Sequence, residues 1–247
     1  MKTKSIEILD PASGLFVSLT SGGSGAIMLG EDVVAAAPIP AGGLDPLVDG
    51  APLELETEHG ELAVSIASTG EPISFDGELT GHREASLVET RGRLVHRGEE
   101  VELDCKGVLH RIGEDSPEPA GVTRDATIIL ADGGLICVAS AAAGLDVDHG
   151  DEETIAAITH PGGYIAFDEV LLSTEYDAAG RQRRATLELW PASDDVAALH
   201  GAGSVVTGCT ARIGNASVNT ALFRWSLDGH LGLGRYEITR PALVAAA

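Results

Sequence analysis

The sequence is short of positive charge, of aromatic rings and of helix signals, and each shortage removes a class of function. Sixteen Lys and Arg stand against 38 Asp and Glu, giving a formal net charge of -22 at pH 7. A field of that sign repels phosphate backbones and anionic lipid surfaces, so nucleic acid is not an expected partner. The densest basic group, Arg181 to Arg184 in "GRQRR", follows a Gly and reads as a solvated hairpin tip. With two Trp, three Tyr and four Phe in the whole chain, any internal hollow is expected to be walled by Val, Leu, Ile and Ala. No apolar run approaches the roughly 20 residues a membrane-spanning helix needs. The opening "MKTKSIEILDPASG" has neither the apolar core nor the cleavage site of a secretion signal. The expectation is a cytoplasmic protein without membrane insertion. Cys105, Cys137 and Cys209 lie far apart and form no C-x-x-C pair, which suggests neither a zinc site nor a disulfide framework; they are expected to pack as small hydrophobes.

What is abundant is Gly, at 31 residues, together with short alternating apolar runs. In "VELDC", Val101, Leu103 and Cys105 point one way and Glu102 and Asp104 the other, as a period of two requires. "ATLELW" from Ala185 and "RYEIT" from Arg235 alternate in the same way, and "ATIILADGGLICVAS" reads as strands Ala126–Leu130 and Leu135–Ser140 around a Gly-containing turn. Turns also fall at "HRGEE", "DAAGR" and "SLDGH". Only "SDDVAALH", opened by Ser193 as N-cap, looks helical. "SGGSG" at 21–25 and "AAAPIPAGGLDP" at 35–46 read as loops at a barrel rim, and "RIGEDSPEPAG" as a boundary, because its prolines and acids resist a strand. The expected organisation is therefore all-β, with an N-terminal half 1–113, a linker 114–121 and a C-terminal half 122–247. Closed barrels and sandwiches are the economical architectures, since both manage edge strands. A barrel of about eight to ten strands can hold one small guest, here an apolar one.

Within this frame "RGRLVHRGEEVELDCKGVLHRIGED" reads as two strands joined by a tight turn, followed by a Gly-x-x-His that leaves the sheet. The run is similar to the hairpin-then-motif segment of the lipocalin-like proteins related to carotenoid 1,2-hydratase and the AttH group. Gly107, His110 and Gly113 fall on that motif, with Leu109 in place of the acid before the His and Ile112 in place of the Trp before the final Gly. "GLGRYEITRP" resembles the family's closing strand at Gly232, Gly234, Glu237 and Thr239, and "ILDPASGLFVSL" resembles its start at Asp10, Pro11 and Gly14. The resemblance implies two lipocalin-like antiparallel β-barrel halves packed together, with an isoprenoid- or polyketide-like ligand held between or inside them. It also implies cofactor-independent hydration, isomerisation or cyclisation, the rival being a non-catalytic carrier of the same fold.

Such chemistry needs a proton donor in a low-dielectric site and a held water. Glu237 is the candidate donor if its strand parity points inward, against Tyr236 and Ile238. His110 is the candidate acid–base or orienting group. Asp104 and Glu84 are candidate electrostatic partners of His110 and, with Trp225, Tyr236 and Thr239, candidate groups around the ligand. The acids of "DVDHGDEE", Asp146 to Glu153, lack calcium-loop spacing and read as a solvated loop, so no metal is expected. The Gly-x-Ser-x-Gly elbow and a phosphate-cradling loop are also absent. The expected partner is thus a hydrophobic small molecule, and a homo-oligomer is compatible with everything above.

Overall fold

The computed structural model describes residues 3–21, 24–30, 32–38, 52–57, 60–69, 71–113, 120–160, 163–192 and 197–241. Most of the linker 114–121, most of 35–46 and the start of the helix expected at 193–200 lie outside these residues. Two compact units are present: Met1–Pro72 with Glu84–Glu114, and Ile73–Arg83 with Asp115–Ala247.

The first unit is an antiparallel sheet built from β1 (Thr3–Asp10), β2 (Leu15–Thr20), β3 (Ser24–Leu29), β4 (Asp32–Pro38), β5 (Leu53–Thr57) and β6 (Gly60–Ser68). After β7 (Ile73–Phe75), which belongs to the second unit, come β8 (Arg83–His96) and β9 (Glu99–Ile112). The sheet order is β4-β3-β2-β1-β9-β8-β6-β5. Strand alternation sends Ile6, Ile8, Leu15, Val17, Leu103 and Leu109 into one core. Arg97 and Gly98 both have positive φ, 53° and 83°, so "HRGE" makes the two-residue turn whose twist suits a hairpin. The chain does not leave the sheet at "KGVLHRIG". β9 continues to Ile112 because β1 pairs along it, from Leu9 opposite Lys106 to Thr3 opposite Ile112. Gly107 permits this approach, since a Cβ there would lie 2.3 Å from the carbonyl oxygen of Glu7.

The second unit is a closed eight-stranded barrel. Its strands are β10 (Thr123–Leu130), β11 (Leu135–Ala141), β12 (Glu153–His160), β13 (Gly163–Tyr176), β14 (Gln182–Pro191), β15 (Leu199–Ile213), β16 (Ala216–Leu227) and β17 (His230–Pro241). Closure is made by β17 on β10. The inward face alternates along every strand: Ala126, Ile128 and Leu130 on β10, Leu187 and Leu189 on β14, Phe223, Trp225 and Leu227 on β16, Tyr236 and Ile238 on β17.

The aliphatic hollow expected from the scarcity of aromatics is not what this interior holds. Phe223, Trp225 and Tyr236 are all 0% exposed, with ring centroids 5.6, 5.2 and 6.3 Å apart. Burial is worth on the order of 3 kcal/mol per ring. Glycines on the flanking strands make the room. Gly203 lies opposite Trp225 and Gly234 opposite Phe223. A Cβ on Gly203 would come within 2.7 Å of the indole, and one on Gly234 within 1.6 Å of the Thr127 carbonyl oxygen. The "GLG" of the closing strand is therefore a packing device.

The segment Ile73–Arg83 lies in the sequence of the first half and in the structure of the second unit. Its turn is closed by reciprocal backbone bonds between Gly77 and Gly81. The Glu153 carboxylate accepts from the N–H groups of Glu78, Leu79 and Thr80 at 2.6, 2.7 and 2.7 Å and from the Thr80 hydroxyl at 3.1 Å. The acidic run read as solvated thus contains a residue that holds a chain segment in place.

Candidate functional site

In the first unit, cross-strand neighbours bring His110 to a carboxylate. Ser5 lies opposite His110 and Glu7 opposite Val108, so Glu7 and His110 share one face as diagonal neighbours. That face is the one opposite the Ile6, Ile8 and Leu109 core, and it also carries Phe16, Met28 and Val108, each 0% exposed. His110 Nε2 is 2.7 Å from Glu7 Oε1, with side-chain exposures of 15% and 1%. With Glu7 ionised its carboxylate can only accept, so Nε2 carries the shared proton. The expected partners of His110 are elsewhere. Asp104 is 79% exposed and meets Arg91 at 3.4 Å, because its strand parity faces it to solvent. Glu84 is half-buried and pairs with Arg111 at 3.7 Å. Nothing local in "SIEILD" marks Glu7 as this partner; only the register of β1 on β9 brings it to His110.

In the second unit, Tyr236 and Ile238 take the inward face of β17, so Glu237 and Thr239 take the outward one. Glu237 does not project into the barrel. Its Oε1 meets Arg235 at 3.1 Å and its Oε2 accepts from the Thr220 hydroxyl at 2.7 Å. Directly across the strand pair stands Asp125, itself bridged by Arg83. Two carboxylates face to face destabilise a sheet; here each has its own guanidinium, and the four charges balance. Cys209 on β15, one strand beyond Thr220, feels the same group: burial first, then the Glu237 charge, pushes its thiol above the ordinary range. Thr239 is half-buried, opposite Thr123.

Trp225 and Tyr236 are packed together in the interior rather than around an open hollow. The Trp225 indole N–H has no hydrogen-bond partner among the described residues, while the Tyr236 hydroxyl is 2.5 Å from the Thr174 hydroxyl. Burial drives the Tyr236 phenol far above its usual range. Toward the same end the interior turns polar. Arg124 and Glu152, 7% and 3% exposed, form an ion pair. The Ser140 hydroxyl donates to Glu152 at 2.8 Å and Thr154 donates to Ser140 at 3.2 Å. Gln182 spans to β16 and β17 by donating its amide N–H groups to the carbonyls of Asn219 and Tyr236, both at 2.9 Å. None of these polar interior residues was singled out from sequence; the outlying signal is a polar residue at an inward parity position, visible once barrel closure is known. Among the described residues no cluster of His, Cys, Asp and Glu is arranged to hold a metal ion.

With its described residues almost all in strands, a closed eight-stranded barrel and a second antiparallel sheet unit, the chain has a lipocalin-like fold in two parts. Solved structures that share this fold include an AttH-type protein, a hydratase and CghA. An AttH-type protein from Nitrosomonas europaea matches with a TM-score of 0.64 at 11% identity, over 96% of this chain and 90% of that one. Kievitone hydratase from Nectria haematococca matches with a TM-score of 0.60 at 12% identity, over 98% of this chain and 88% of its own. CghA, solved with Sch210972, gives 0.58 at 11%, over 98% and 89%. Likeness at such identities establishes the fold. No family model and no curated protein sequence matches the chain.

Proposed function

We propose that this protein binds a hydrophobic small molecule and moves a proton on it without a cofactor, in a hydration, isomerisation or cyclisation, with His110 as the acid–base group and Glu7 as its positioning carboxylate. The observation that carries the reading is the Glu7–His110 pair, set among Phe16, Met28 and Val108. A buried carboxylate fixes the imidazole's orientation and stabilises the imidazolium formed when the ring takes a proton. Apolar neighbours strengthen that electrostatic contribution by lowering the local dielectric. In a hydration, the His110 imidazolium gives its Nδ1 proton to the alkene carbon, water oxygen closes on the resulting cation, and the proton that water releases returns to Nδ1, so the ring ends as it began. Glu237, with one oxygen ion-paired to Arg235 and the other accepting from Thr220, is assigned to the charge network of its own unit. The names of two neighbours, kievitone hydratase and CghA solved with Sch210972, support a small-molecule substrate, for which we propose an isoprenoid- or polyketide-like body.

The test is incubation with a panel of prenylated, polyene and polyketide substrates in H₂¹⁸O and in D₂O, read by mass spectrometry. Label incorporation that falls about 10²- to 10⁴-fold in His110→Gln, the usual contribution of a general acid or base, is the expected result. Glu7→Gln retains the contact without the charge and should give a smaller loss with an altered pH profile. Unchanged turnover in His110→Gln would overturn the assignment, and retained binding without label from any substrate would favour a carrier.

A further inference from the structure

The barrel's polar end opens into a cleft of about 630 Å³ whose lining includes Tyr176, Arg181, Thr210, Ser217, Asn219 and Arg240. An adjoining crevice of about 230 Å³ runs past Gln182 to Val205 and Val206. The crevice exists because β14 and β15 pair only from Leu189 opposite Leu199 to Arg184 opposite Ser204. Beyond that point β15 continues with β16 alone, through an irregularity between Val205 and Thr207. Val205 and Val206 are left 38% and 44% exposed at this gap.

The charge of the cleft is opposite to that of the protein. In a chain of net charge -22, it is lined by two arginines and no carboxylate, and the one carboxylate of the adjoining crevice, Asp177, is paired with Arg181. Arg181 is already bound to Asp177 through Nε at 3.0 Å and Nη2 at 2.9 Å. Arg240 is held differently: its guanidinium sits 4.9 Å over the Tyr176 ring, and among the described residues no carboxylate bridges it. The ring restrains the guanidinium and leaves its edge donors for a ligand. Gln182 supplies a second vacancy. It is 4% exposed and both amide donors are engaged, which fixes its orientation because a flip would set oxygen against two carbonyls. Its Oε1 consequently remains a buried acceptor without a partner among the described residues.

We infer that the barrel mouth is a binding site for an apolar molecule ending in a carboxylate. The carboxylate pairs with Arg240, the body lies along Val205 and Val206, and a hydroxyl or bound water bridges to Gln182. The site uses none of the residues assigned to proton transfer, so it stands or falls independently of His110.

Titration of the full-length, isotope-labelled protein with octanoate and with 1-octanol, followed by two-dimensional NMR, tests this directly. Octanoate is expected to shift the amides of Tyr176, Asn219 and Arg240 and to bind about tenfold more tightly than octanol, the size of one charge-assisted hydrogen bond. Arg240→Gln should lower octanoate affinity to that of octanol, and Ser217→Trp, which puts an indole into the cleft from the position directly across the strand pair from Arg240, should remove binding of both probes. Equal affinity for the two probes, shifts confined to other parts of the chain, or an unaltered octanoate affinity in Ser217→Trp would each overturn the inference.

Discussion

Replacing Glu153 by Gln isolates the forces that hold the Ile73–Arg83 segment. The carboxylate accepts three backbone bonds and one hydroxyl bond, all between 2.6 and 3.1 Å. Hydrogen bonds to a charged acceptor contribute about 1.5–3 kcal/mol each, though four on one group do not add and partial exposure screens them. Gln keeps one acceptor oxygen but turns an NH₂ toward at least one N–H, so a local loss of about 2–3 kcal/mol follows. The turn can open without unfolding the barrel, so the loss belongs in native-state hydrogen exchange. The amides of Glu78, Leu79 and Thr80 should exchange about 30- to 150-fold faster, at 1.36 kcal/mol per decade. Acid should reproduce the effect. Burial raises the Glu153 pKa, but the N–H groups of Thr80, Leu79 and Glu78 and the Thr80 hydroxyl outweigh it, leaving the pKa below the ordinary value of 4.5. A depressed folded-state pKa stabilises above the unfolded value and is lost as pH falls through the folded one. Protection in the wild type should therefore fade below about pH 4 while Glu153→Gln stays flat. Unchanged exchange of these three amides in Glu153→Gln, or equal acid sensitivity in both proteins, would refute the reasoning.

Three further outcomes can be measured. Gly234→Ala places a Cβ 1.6 Å from the Thr127 carbonyl oxygen, and urea unfolding should show a loss above about 3 kcal/mol; a change under about 0.5 kcal/mol would contradict the packing role. Glu152→Ala strands a buried arginine and should cost about 3–5 kcal/mol, whereas Arg124→Met with Glu152→Leu should recover most of it; a double variant no more stable than the single one would argue against the ion pair. The Cys105 thiol is pushed up to about 12 by burial and by the charges of Asp10 and Asp104, so native protein at pH 8 should be alkylated there far more slowly than the urea-unfolded chain, as peptide mass spectrometry would report.

The strand content was legible because a period of two survives in "VELDC", "ATLELW" and "ATIIL", and the turns because "HRGE" and "LDGH" carry residues that adopt positive φ. Two things were not. Parity on β17 was ambiguous, since Arg235 at 6% and Tyr236 at 0% exposure are both buried, and only the Phe223–Trp225–Tyr236 cluster decides which face is inside. Pairings between distant strands were equally invisible: Glu7 meets His110, and Glu153 meets residues 78–80, through register that no local pattern encodes. Local spacing therefore points His110 to Asp104 and Glu84 rather than to Glu7, and Glu152 and Glu153 to solvent rather than to Arg124 and the 78–80 backbone.

The excursion of residues 73–83 into the barrel unit also makes the two units inseparable at the level of the gene. A fragment starting after the linker would encode every barrel strand yet omit the peptide that occupies Glu153. During synthesis that peptide leaves the ribosome well before its acceptor does and must wait for it. Recombination at a single crossover would therefore exchange incomplete pieces, so lineages of this chain are expected to inherit both units as one block.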